Sequence, residues 1–89
     1  MVACRIDFDV LATPDNIKKL VKKFGLRAAE ATMALLLAEG LTIRQAAERL
    51  HYSEGAARMA SKRAYDATRV HSQAQLVRVV FISLLEDQK

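Results

Sequence analysis

The sequence predicts an all-α fold, a small bundle of four to five helices behind an N-terminal arm. Three observations predict it. Apolar residues recur at helical spacing in each segment from Ile17 onward. Helix-starting signals stand before those segments, at Thr13-Pro14, Thr42, Ser53 and Ser72. One proline and three glycines in 89 residues leave long stretches uninterrupted.

The elements follow in order. Residues 1–12 alternate apolar and polar around Ile6, Phe8 and Val10, which suits a short strand, a loosely ordered arm, or the tail of a larger parent chain. Thr13-Pro14-Asp15 supplies a capping hydroxyl, a proline at the first helical position and a first-turn acid. Ile17, Leu20, Val21 and Phe24 then share one face of a flanking amphipathic helix over 13–25, which Gly25 ends. Lys18, Lys19, Lys22 and Lys23 lie on its other side and read as a solvated face, with a phosphate-contacting flank as the alternative.

Residues 27–39 are strong helix formers with a stripe of Met33, Leu36 and Leu37, stopped by Gly40. Thr42 and Gln45 form a capping box that opens the next helix, with Ile43, Ala46, Ala47 and Leu50 inward. A tight four-residue turn around His51-Tyr52 follows. Ser53 caps a third helix, with Glu54 suited to the positive end of its dipole. Val70-His71 break the pattern, and Ser72 with Gln75 forms a second capping box before a last helix to about Leu85.

Composition narrows the function classes. The hydrophobic fraction of 52% supports a packed core, and a net charge of +4 favours an anionic partner. Cys4, the one cysteine, has no partner for an internal disulfide, so a reducing, cytoplasmic setting is expected. The opening residues lack a secretory signal, and the apolar run Val79 to Leu85, broken by Ser83, falls short of the ~20 residues a membrane span requires. Catalysis is poorly supported: His51 and His71 stand alone at helix junctions, with no metal-ligand spacing and no phosphate-binding glycine loop. Neither a cofactor nor a metal is expected.

The charge is concentrated. Between residues 44 and 78, seven cations stand against three carboxylates, an excess equal to the net charge of the whole chain, +4. On a helical wheel, Ala57, Ala60, Ser61, Ala64 and Thr68 gather on one side of the third helix. Arg58, Met59, Lys62, Arg63 and Asp66 gather on the other. Arginine donates two parallel hydrogen bonds to guanine O6 and N7, lysine reaches the same acceptors, and methionine packs on a thymine methyl. Residues 41–68 therefore read as a helix-turn-helix that places Arg58, Met59 and Lys62 against base edges. An ordinary bundle with a solvated face is the alternative, and it gains from the carboxylate of Asp66, which phosphates repel unless Arg63 or Arg69 neutralises it.

The stretch FGLRAAEATMALLLAEGLTIRQAAERLHYSEGAARMASKRAYDATRVHSQAQLVRVV resembles the LuxR-type, or GerE-like, helix-turn-helix domain of bacterial transcription regulators. The likeness runs over about residues 24 to 85 and assigns 26–89 to that domain. Its marks are Leu26 and Glu30, then LLLAEGLT, AAERL, SEG with Arg58 in GAAR, and SQAQLVR, in that order. The resemblance implies a recognition helix at about 54–68 with groove-facing Arg58, Met59 and Lys62. It implies phosphate contacts at Thr42, Arg44, Ser53, Arg63 and Arg69. The chain departs from the family at His51 and Arg69, where glycine is usual, at Ala56-Ala57, where threonine-valine is usual, and at Ala60, where histidine is usual. Histidine tolerates the positive φ that position 51 can require better than most residues do.

Apolar residues cover nearly the whole circumference of the last helix. Leu76, Val77 and Val80 serve the core, leaving Phe81, Ile82 and Leu85 as a homodimer surface unless the 13–25 helix covers them. The expected function is sequence-specific binding of double-stranded DNA, as a transcription regulator or its C-terminal part. A non-catalytic interaction module that kept the fold but lost useful DNA affinity is the alternative. The DNA-reading region of a sigma factor shares the motif and would add RNA polymerase as a partner.

Overall fold

The computed structural model describes residues 11–86. Five helices account for the described residues, with no strand among them: α1 Pro14–Phe24, α2 Ala28–Ala38, α3 Ile43–Leu50, α4 Glu54–Thr68 and α5 Gln73–Glu86. The alternating stretch around Ile6, Phe8 and Val10, and Cys4, lie outside the described residues. No helix among those described is long and apolar enough to cross a membrane.

The architecture is organised on α2, which packs against the other four helices. The sequence suggests a stripe of Met33, Leu36 and Leu37, but Ala31, Ala34 and Leu35 are also fully buried. A helix with neighbours on every side buries its whole circumference, so a one-sided stripe understates it. Around it, α1 contributes Leu20, with Ile17, Val21 and Phe24 half-buried against the same core. The inward line of α5 is Leu76, Val80, Ser83 and Leu84. Leu84 and Ser83 extend the core face by two positions beyond Leu76, Val77 and Val80.

Three helices end in the same way. At the end of α2, Gly40 N–H donates to Leu37 O at 3.0 Å and Leu41 N–H to Leu36 O at 3.2 Å, with Gly40 at φ 99°. At the end of α3, His51 N–H donates to Glu48 O and Tyr52 N–H to Ala47 O, with His51 at φ 60°. At the end of α4, Arg69 N–H donates to Asp66 O and Val70 N–H to Tyr65 O, with Arg69 at φ 63°. Each is a Schellman motif, which needs its central residue in the left-handed region. Glycine supplies that conformation once, and residues with a β-carbon supply it twice.

The segment before α1 is fastened to the far end of α2. Glu39 Oε2 accepts the N–H of Leu11 at 3.0 Å and of Ala12 at 2.9 Å. Thr13 then accepts Asn16 N–H at 3.2 Å, capping α1 as its sequence indicates.

Candidate nucleic-acid interface

α3 and α4 pack directly on each other and are joined by His51, Tyr52 and Ser53. The connection is three residues, one shorter than the four expected, because α4 begins immediately after its capping serine. His51 turns the chain with its left-handed backbone. Thr42 Oγ1 accepts Gln45 N–H at 3.1 Å while Gln45 Oε1 accepts Thr42 N–H at 2.9 Å, so the capping box of α3 is complete. Ser53 Oγ accepts Ala56 N–H at 3.1 Å at the start of α4. Both hydroxyls keep their own proton for an outside acceptor such as a phosphate oxygen.

The second capping box differs from its sequence reading. Ser72 Oγ accepts Gln75 N–H at 3.2 Å, but Gln75 Oε1 takes the N–H of His71 at 2.8 Å, one residue further back. The half of the box made by the hydroxyl is present.

α4 has two unlike faces. Ala57, Ala60, Ser61 and Ala64 are buried, and small residues there let its backbone approach α2 and α5 closely. Ser61 Oγ is satisfied within the helix, donating to Arg58 O at 2.9 Å. Thr68, which the wheel groups with them, is half-buried and donates to Ala64 O at 2.8 Å. Arg58, Met59, Lys62, Arg63 and Asp66 are all exposed, with Met59 at 52%. The three residues read as base contacts thus share one solvent-facing surface.

Two of the cations are engaged. Arg58 Nη2 donates to Glu54 Oε2 at 2.7 Å, one turn earlier on α4. Exposed pairs at this spacing stabilise a helix by only about 0.3–0.5 kcal/mol, so another anion can take the guanidinium at small cost. Arg63 Nη1 lies 3.8 Å from Oε2 of Glu30, a buried acid whose Oε1 accepts Arg27 N–H at 3.1 Å. Arg63 therefore turns toward α2, and neither it nor Arg69 forms an ion pair with Asp66 among the described residues.

The remaining phosphate candidates are spread out. Arg44 is exposed in the first turn of α3, beside Thr42. Arg69 is exposed at the opposite end of α4 from Ser53, roughly 16 Å along the axis from Arg58 by helical rise. Sequence reasoning missed the Glu54–Arg58 bond, although its four-residue spacing is a readable signal. It placed Tyr52 in the turn, where the side chain is exposed, without giving it a role. The approach of Arg63 to Glu30 had no local signal.

On the other side of the bundle, α1 packs beside α5, and Lys23 Nζ meets Glu86 Oε1 at 2.7 Å. Its apolar side chains turn to the core, and Phe81, Ile82 and Leu85 stay 41%, 45% and 65% exposed. α1 therefore does not provide the cover considered for those three residues.

Comparison with protein-family models, curated proteins and solved structures finds no match to this chain.

Proposed function

We propose that the chain is a double-stranded DNA-binding module of a transcription regulator, with α3 and α4 as a helix-turn-helix and α4 in the major groove. One observation carries the reading. Arg58, Met59 and Lys62 occupy the exposed face of a capped helix whose opposite face is made of buried small residues. In this reading Arg58 and Lys62 donate to base-edge acceptors and Met59 packs on a thymine methyl. Thr42, Arg44, Ser53, Arg63 and Arg69 set the register through phosphates, which position a protein without reading sequence. The LuxR-type resemblance of residues 24 to 85 supports the same assignment. Phe81, Ile82 and Leu85 would join two copies, which then meet half-sites about 34–36 Å apart.

Binding to a duplex promoter library at several salt concentrations tests it. Selective binding is expected, with log K falling against log salt by about 0.9 for each neutralised phosphate. Arg58→Ala should cost roughly 1–3 kcal/mol and relax one base position. An equal loss on every sequence would reduce Arg58 to a phosphate contact.

A second reading, a protein-interaction module without useful DNA affinity, is favoured by two features. Carboxylates face Arg58 and Arg63, and the apolar patch on α5 is open. Absence of selective binding in the same library decides for it.

A further inference from the structure

The helix assigned to the groove opens with a carboxylate. Glu54 is the first residue of α4, and DNA is a polyanion, so in a complex held by phosphates alone that charge is unfavourable. It is bonded to Arg58 at 2.7 Å, and the Arg58 and Glu54 side chains are 65% and 50% exposed. The bond occupies one of the five N–H donors of the guanidinium. A guanine edge takes two, through O6 and N7, so Arg58 can hold Glu54 and a guanine together.

The carboxylate has acceptor capacity left over, because an ionised carboxylate offers about four lone-pair sites. The major-groove donor that suits it is the N4 amino group of cytosine. Since the two side-chain heads are bonded to each other, their remaining edges reach neighbouring bases rather than distant ones.

We propose that Glu54 is a specificity-determining residue: beside Arg58, whose guanidinium keeps donors for a guanine, it accepts a hydrogen bond from a cytosine N4 amino group at an adjacent position. This rests on α4 being the helix in the groove.

The test uses the full chain in a selection from a randomised duplex pool, with salt titrations on a mixed-sequence duplex. The chains compared are wild type, Glu54→Gln, Glu54→Asp and Arg58→Ala, each checked for matching far-ultraviolet circular dichroism. Wild type should enrich a guanine with a neighbouring cytosine. Glu54→Gln should lower discrimination at the cytosine by at least about fivefold. It should also bind the mixed duplex more tightly, because a charge that the phosphates repel is gone. Glu54→Asp keeps the charge and shortens the reach, so it should relax the cytosine position without that tightening. Tighter binding of Glu54→Gln to all sequences, with every base preference unchanged, makes Glu54 a simple electrostatic brake and overturns the proposal alone. A wild-type chain with no base preference overturns the DNA-reading assignment and this proposal with it.

Discussion

Replacing Arg69 with glycine should stabilise the fold and weaken DNA binding at once. Arg69 sits at φ 63° at the end of α4, where its N–H and that of Val70 close the helix on Asp66 and Tyr65. A residue with a β-carbon loses about 1–2 kcal/mol in the left-handed region. Glycine avoids that loss but returns about 0.5–1 kcal/mol through the freedom of its unfolded chain. The net gain is about 0.5–1 kcal/mol, or a rise in Tm of roughly 2–8 °C for a domain of this size. Thermal unfolding followed by circular dichroism at 222 nm measures it, with Arg69→Val as a control that should fall below wild type. If Arg69 also meets a phosphate, the glycine variant should bind DNA with a salt slope shallower by about 0.9. An unchanged or lower Tm for Arg69→Gly would refute the strain argument. An unchanged salt slope would remove Arg69 from the phosphate contacts.

Two further outcomes are expected. Glu39→Ala strips the carboxylate from the N–H groups of Leu11 and Ala12 and should cost about 1.5–3 kcal/mol in urea unfolding, the range for hydrogen bonds to a charged group; a variant as stable as wild type would mean that water replaces the carboxylate without loss. Phe81→Glu places a charge in the exposed α5 patch and, if the proposed dimer forms there, should leave a chain of monomer mass in sedimentation experiments while wild type sediments as a dimer; equal masses for both would reject this surface as the dimer contact.

What the sequence made legible was local. The caps at Thr13, Thr42 and Ser53, and the stops at Gly25 and Gly40, depend on residues within one turn of each other, and all five are where their spacing puts them. The two faces of α4 were readable for the same reason, since a wheel needs only the helix itself. Burial around the whole of α2 was not readable, because it depends on how many neighbours surround it. The anchoring of Leu11 and Ala12 by Glu39 joins residues nearly a third of the chain apart. The orientation of Arg63 likewise depends on an acid on another helix. The glycine that the resemblance leads one to expect at position 69 marked a departure without giving the left-handed backbone angle found there.

The small inner face of α4 has a consequence for how this domain can change. Its alanines and serine supply little bulk to the interior, which is filled chiefly by the leucines of α2 together with Leu20, Met33, Leu76 and Val80. Positions 58, 59 and 62 can therefore be rewritten with little disturbance to the volume that specifies the fold. Descendants of this chain could change those exposed positions by substitutions that folding hardly registers, while the buried alanines beneath would take added bulk less readily.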